Sequence, residues 1–295
     1  MKIKGIEISH PDKILFPQAE LTKKDVADYY AKIAGNLLKF GKSRPLTFKI
    51  FPDGVNEPGF FQKNMPEYYP GAIPRLEVPT RSKDKSNITM TAAKKAEDLV
   101  YFSGQNVIEL HAALSTGDAL EEPERMVFDF DPSEDDFGKV RQLVRTFKRI
   151  LDAADITAFV STTGSRGLHV HVPLRPGAQF QQSKSVAKAL AQKLHGAEPE
   201  ISTLEQRKSK RGNKVFIDTL RNAYGQTFIL PYSLRAQKQA PVATPVRWDE
   251  LDSSDFSAQS YTLANILQRL SQVENPWKNY ARSRQSIDSL ISKTN

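Results

Sequence analysis

Residues 126–132, Met-Val-Phe-Asp-Phe-Asp-Pro, constrain this chain more than any other stretch. Met126, Phe128 and Phe130 alternate with Val127, Asp129 and Asp131, the period of a β-strand. The aromatic face can enter a core. Asp129 and Asp131 then share the opposite face, about 6–7 Å apart along the strand. Pro132 cannot donate to a ladder and ends the strand. A helix is expected next, near 135–153, with Phe137, Val140, Val144, Phe147 and Leu151 at helical spacing. Strands at 156–162 and 168–174 flank the tight Thr163–Gly167 segment, and a helix at 182–195 leads to a strand at Val215–Asp218. That order is βαββαβ, the split pattern of ferredoxin-like and RNA-recognition folds. The expected class is α/β (α+β), with an RNA-recognition-like βαββαβ catalytic sheet and a packed N-terminal lobe of strands and helices.

In this topology the third and fourth strands flank the first. Asp218 should therefore sit beside Asp129 and Asp131, and His169 and His171 should share one face of their strand. Two like charges at such spacing repel and call for a shared cation. Three aspartates around one or two Mg²⁺ or Mn²⁺ ions can hold a triphosphate and activate a primer hydroxyl. Gly164-Ser-Arg-Gly167 can turn backbone N–H groups, a hydroxyl and a guanidinium toward phosphate. His169 could donate to phosphate; the blander reading is a satisfied, half-buried histidine. A zinc site of His169, His171 and His111 is an alternative, although the neighbouring carboxylates suit a harder metal.

The N-terminal part has its own pattern. Pro11 and Pro17 frame a loop, and Thr22 with Asp25 reads as a helix cap. Val26, Tyr29, Tyr30, Ile33 and Leu37 form a helical stripe that Gly41 ends. A strand over Arg44–Phe51, a turn at Pro52-Asp-Gly54, strands at 73–80 and 86–91 about a charged Arg81–Lys85 turn, and a helix over Ala96–Phe102 follow. The strand Val107–Leu110 delivers His111. Phe60 and Phe61, beside Lys63, are either core or, if exposed, a platform on which bases stack. Residues 1–252 read as one domain, with lobes of about 1–115 and 116–252. The polar remainder, 253–295, reads as a helix at 260–272 and a linker or tail.

Lys and Arg number 42 against 34 Asp and Glu, a net charge of +8, which favours an anionic partner, nucleic acid first. With no cysteine, disulfides and thiolate metal sites are excluded. No apolar run reaches the ~18 residues of a membrane helix, and the first 20 residues lack an apolar signal core. A cytoplasmic protein with no membrane partner is expected.

Several motifs together resemble one family. Phe128-Asp-Phe-Asp-Pro132, Ser161-Thr-Thr-Gly-Ser-Arg-Gly-Leu-His-Val170, Val215-Phe-Ile-Asp218 and Pro231-Tyr-Ser-Leu-Arg235 look like the polymerase domain of bacterial ligase D, of the archaeo-eukaryotic primase superfamily. The likeness runs from about Ser9 to Leu251. It takes in His10-Pro-Asp-Lys13, Arg44-Pro-Leu-Thr47, Pro52-Asp-Gly54, Phe60-Phe-Gln-Lys63, Glu109-Leu-His111 and the Pro241–Glu250 segment.

The resemblance implies template-directed nucleotide addition to DNA gaps and double-strand-break ends in non-homologous end joining, with NTPs preferred over dNTPs and Mn²⁺ or Mg²⁺ as cofactor. It implies metal binding and catalysis by Asp129, Asp131 and Asp218. It implies triphosphate and sugar contacts from Lys49, His111, Ser165, Arg166, Gly167, His169 and Arg235. Arg166 stands where many members have lysine. Phe60 and Phe61 would stack at the template with Lys63 beside them. Lys13 and Lys23 would bind a downstream 5′-phosphate, with Lys24 the alternative to Lys23. Ku and a DNA ligase, fused or in trans, are the implied protein partners, and the prokaryotic nucleoid the implied location. No Lys-x-Asp-Gly ligase motif occurs, so a stand-alone polymerase or an excised domain is expected. The other readings are a metal-dependent phosphodiesterase using the same carboxylates and a non-catalytic nucleic-acid-binding module.

Overall fold

The computed structural model describes residues 1–81 and 86–294, so most of the expected turn at Arg81–Lys85 lies outside the described residues. The chain forms two compact units. The first holds Met1–Leu120, Thr227–Ala243 and Tyr261–Arg269; the second holds Glu121–Gln226, Thr244–Ser260 and the chain from Leu270 on. The expected lobe 116–252 is thus not one continuous run. The reason is strand pairing: Thr227–Ile229 is antiparallel to Val107–Ala113, with Ile229 opposite His111, which carries this return segment into the first unit.

In the first unit the helix Lys23–Gly41 begins on the expected capping box. The Thr22 N–H donates to Asp25 Oδ2 at 2.8 Å, and the Asp25 N–H donates to Thr22 Oγ1 at 3.3 Å. Its stripe of Val26, Tyr29, Tyr30, Ile33 and Leu37 is buried. Two of these residues also meet polar partners. Tyr29 donates to the Tyr232 carbonyl at 2.8 Å and Tyr30 to the Ile108 carbonyl at 2.5 Å. The helix Ala96–Gly104 packs beside it, with Phe102 against Phe48 at 4.7 Å between ring centroids. The sheet runs Thr227–Ile229, Val107–Ala113, Leu46–Ile50, Asn87–Thr91, Arg75–Pro79, and the short Phe60–Gln62 strand pairs with Leu46–Ile50.

The second unit has the expected ferredoxin-like core. Its sheet order is Ser202–Thr203, Val215–Asp218, Arg125–Pro132, Leu168–Pro173, Phe159–Thr162, Pro245–Val246. The carboxylate strand Arg125–Pro132 is flanked by the third and fourth core strands, both antiparallel to it. Phe128 and Phe130 are fully buried and meet Phe147 of the helix Phe137–Ala153 at 4.6 and 5.7 Å. The helix Phe180–Ala197 packs against the same strand. Helices thus cover the aromatic face and leave the carboxylate face for chemistry. Among the described residues no helix is long and apolar enough to cross a membrane.

The C-terminal region is not a polar tail. Of the expected helix at 260–272 only Ile266–Gln272 is α-helical, and a further helix spans Ile287–Thr294. Trp277 is 2% exposed, stacks on Tyr280 at 5.0 Å and donates from Nε1 to the Val160 carbonyl at 3.0 Å. Gln285 pairs with Leu174, and Leu290 is fully buried. A few widely spaced apolar residues anchor an otherwise polar segment, which composition alone conceals.

Candidate active site

The acidic group lies in the second unit. Asp129 and Asp218 are direct cross-strand partners, and Asp131, two residues along, shares their face. Burial pushes the Asp218 carboxyl above its ordinary range; the Leu220 N–H and Arg221 pull it down, and the charge of Asp129 adds to the rise. His169 is the partner of Asp129 on the other side, with Nε2 3.4 Å from Asp129 Oδ1. Beyond Asp218 the fourth strand stops, and Asn222 continues the pairing. Its Oδ1 accepts from the Val127 N–H at 2.8 Å and its Nδ2 donates to the Val127 carbonyl at 2.6 Å. No periodicity signals Asn222, although it holds the carboxylate strand in place.

Asp131 is held differently. Arg166 donates to its Oδ1 at 2.8 Å, and Arg211 lies 3.6 Å from Oδ2 while stacking on Phe216 at 3.9 Å. Arg166, expected at phosphate, is therefore on a carboxylate here. Arg211 escaped the sequence reading; its only signal is the basic run Arg207–Arg211. Among the described residues no three His, Asp or Glu side chains are gathered as a ready metal cage. The donor set nevertheless fits a hard divalent ion. Asp129 and Asp218 form an acidic pair face to face, and Asp131 on the same face would complete the set that holds such an ion.

The Thr163–Gly167 loop closes on itself. Thr163 Oγ1 accepts from the N–H groups of Ser165 and Gly167, each at 3.2 Å, so these two donors, expected to face phosphate, are already engaged. Gln259 Nε2 donates to the Ser165 carbonyl at 2.8 Å. A Cβ at Gly167 would lie 2.0 Å from the Phe130 carbonyl oxygen, so only glycine lets the loop rest on the carboxylate strand. His171 lies behind His169 at 5.7 Å between rings and is 2% exposed. Burial, then His169 and Arg125, push its imidazole well below the usual range, which keeps it neutral. Its Nε2 meets Ser161 Oγ at 3.3 Å.

The first unit gathers a second set of expected residues. Lys49 pairs in register with both Glu109 and Phe61, and Thr47 pairs with His111. All five thus share one sheet face. Phe61 meets the His111 ring edge-on at 5.6 Å, and Lys49 Nζ sits 5.7 Å from the Phe61 centroid. Arg235 Nε is 3.2 Å from Glu109 Oε1. Phe60 and Phe61 are 50% and 62% exposed, so they are not core. As neighbours on one strand they present opposite faces, which makes them two surfaces rather than one platform. Lys63, just past that strand, is exposed. Tyr68, 70% exposed, is an aromatic that sequence reading missed.

A third set lines a cavity of about 610 Å³ with Ser9, His10, Lys13, Lys23, Gln105 and Asn106 on its walls. The Lys23 N–H donates to the Lys13 carbonyl at 2.8 Å, and part of the segment expected as a proline-framed loop is a short strand, Ile14–Phe16, that pairs with Leu21–Thr22 at the helix start. Lys23 is 3% exposed, with Nζ 3.4 Å from Ser9 Oγ. Burial, then Lys13, lower its pKa from the ordinary lysine value. Lys24 instead donates to Asp28 at 2.6 Å, and that bond raises its pKa. Of the two adjacent lysines, only Lys23 faces the cavity.

A family model described as LigD, primase-polymerase domain, matches residues 22–277. The chain belongs to the LigD primase-polymerase domain family. It is 30% identical over 292 residues to the multifunctional non-homologous end joining protein LigD of Pseudomonas aeruginosa, covering 98% of this chain and 34% of that one. It is 33% identical over 265 residues to the multifunctional non-homologous end joining DNA repair protein LigD of Mycobacterium tuberculosis, covering 87% of this chain and 34% of the other. The chain thus spans about a third of these curated relatives. The polymerase domain of Mycobacterium tuberculosis ligase D, solved in complex with DNA, aligns with a TM-score of 0.86 at 29% identity, over 95% of this chain and 99% of that one. A LigD primase-polymerase domain is by class a nucleotidyltransferase, and its mixed α/β architecture is the one described above.

Proposed function

We propose that this chain adds nucleotides, preferably ribonucleotides, to primer ends at DNA gaps or double-strand breaks in non-homologous end joining. The observation that carries the reading is the cross-strand pair Asp129 and Asp218, with Asp131 on the same face, in a chain of the primase-polymerase family. Asp129, Asp218 and Asp131 would hold Mn²⁺ or Mg²⁺. When bound, such ions stabilise the charge that develops on the transferring phosphate and activate the attacking hydroxyl. Arg166 and Arg211, which pair with Asp131, would be cations available to an incoming triphosphate. His169, whose Nε2 lies 3.4 Å from Asp129 Oδ1, would also contact the triphosphate. Lys49, His111, Ser165, Gly167 and Arg235 would contact triphosphate and sugar, and Phe60, Phe61 and Lys63 would meet DNA. Lys13 and Lys23 would bind the 5′-phosphate across the gap. Ku and a ligase, fused or separate, would be the partners, in the cytoplasm.

Incubation with a primer–template, Mn²⁺ and NTPs or dNTPs tests this. Primer extension, faster with NTPs, is the expected result. Shortening of the primer would instead identify a phosphodiesterase, and a mobility shift without chemistry a binding module.

A further inference from the structure

We propose that Glu109 is a positioning residue that orients two side chains expected at the nucleotide, His111 and Arg235, through its two carboxylate oxygens. The proposal rests on the polymerase reading given above. Glu109 is 2% exposed, a state a carboxylate tolerates only with well-placed partners. Oε2 lies 2.9 Å from His111 Nε2. Oε1 lies 3.2 Å from Arg235 Nε and accepts from the Ala236 N–H at 3.1 Å. One side chain thus ties the strand Val107–Ala113 to the return segment that carries Arg235.

The chemistry of the contact fixes more than distance. An ionised carboxylate only accepts, so the hydrogen it shares with His111 must sit on Nε2. That selects the imidazole tautomer and turns Nδ1 to the other side of the ring. Phe61 packs edge-on against the same ring, 5.6 Å away, so carboxylate and aromatic together restrict its rotation. Lys49, the register partner of Glu109, is a further charged group on this face. Glu109 is too buried to meet substrate itself; its effect must pass through His111 and Arg235. A residue that merely balanced charge would need its carboxylate but not its reach. A positioning residue needs both.

The purified full chain tests this with two readouts. Ring ¹⁵N signals of His111 in the wild type should show the Nε2–H tautomer; an Nδ1–H tautomer would overturn the proposal without reference to activity. In primer extension, Glu109→Gln should raise KM for the nucleotide about tenfold or more, the scale expected when contact groups are misplaced. Glu109→Asp, which keeps the charge but loses one methylene of reach, should resemble Gln; an Asp variant with wild-type KM would reduce Glu109 to charge balance and overturn the positioning role. In a His111→Ala background the Gln substitution should cost clearly less than in the wild type, since coupled residues are not additive. Full additivity also counts against the proposal. Thermal melts identify any variant that fails to fold, and the wild-type tautomer then decides. A wild type that never extends primers would overturn the polymerase reading alone, leaving the tautomer to judge Glu109.

Discussion

Asp129 and Asp218 face each other across two antiparallel strands, and the charge of one raises the pKa of the other. A raised carboxylate pKa means that ionisation costs folding free energy, a cost present once pH passes the folded-state value. Asp218→Asn should therefore leave the metal-free Tm unchanged or raise it by a few degrees at neutral pH. The same variant should lose primer extension by several orders of magnitude, since it removes one of the three carboxylates proposed to hold the metal. Adding Mn²⁺ should raise the wild-type Tm but not that of the variant. Differential scanning calorimetry with and without Mn²⁺ measures both; a variant that is destabilised without metal would contradict the repulsion argument.

Glu109 gives the opposite sign. Burial raises its pKa, but His111, Arg235 and the Ala236 N–H together outweigh burial and lower it from 4.5 to about 2. A depressed carboxylate pKa contributes stability that is present above the unfolded value and lost as pH falls through the folded one. Between pH 4.5 and about 2 the first unit should lose stability on the order of 3 kcal/mol from this group. Glu109→Gln should be less stable than wild type near neutrality, and the gap should close over that window. Urea melts of both proteins at a series of pH values decide it; a gap independent of pH would refute the assignment.

Lys23 and Lys24 are adjacent yet differently placed, and binding should separate them. Lys23 is buried at the cavity beside Lys13, whereas Lys24 is paired with Asp28. Lys23→Met should remove most of the preference for gapped DNA bearing a 5′-phosphate, at little cost to the unliganded fold, because it relieves a desolvated cation. Lys24→Met should keep that preference. Fluorescence anisotropy with phosphorylated and hydroxyl gaps reports it, and the wild-type advantage should shrink as salt rises. Equal losses from both variants would mean that general charge, not the cavity, recognises the end.

Much of this arrangement is legible in the chain because local patterns and one topology agree. The alternation of Phe128, Asp129, Phe130 and Asp131 sets which face is acidic, and the βαββαβ order alone brings Asp218 beside Asp129. Other features have no local signature. Asn222 acts through two bonds to Val127, 95 residues away in sequence. Arg166 meets Asp131 across 35 residues of sequence, a pairing that no local pattern signals. Thr163 takes the loop N–H groups by a turn geometry that a Gly-rich string does not reveal. The return of Thr227–Ala243 to the first unit depends on long-range pairing, which propensity cannot supply.

The C-terminal segment gives the sharpest test of that last lesson. Residues 273–295 look dispensable by composition, with Ser, Arg, Lys and Asn dominating. Yet Trp277 packs 4.8 Å from His171 and 5.9 Å from Phe159, which are register partners on adjacent strands of the catalytic sheet. Trp277→Ala should cost about 3–5 kcal/mol, the range for truncating a buried Trp, and lower Tm by roughly 5–15 °C. Trp277→Phe keeps most of the apolar contact and loses the bond from Nε1 to Val160, so it should cost only about 1–3 kcal/mol. His171 is in ring contact with His169, so the Ala variant should also raise KM for nucleotide at temperatures where the protein is still folded. Thermal melts and extension assays on both variants measure these effects. If Trp277→Ala melts like the wild type, the segment is an appendage after all, and the packing described for Trp277 contributes nothing to the fold.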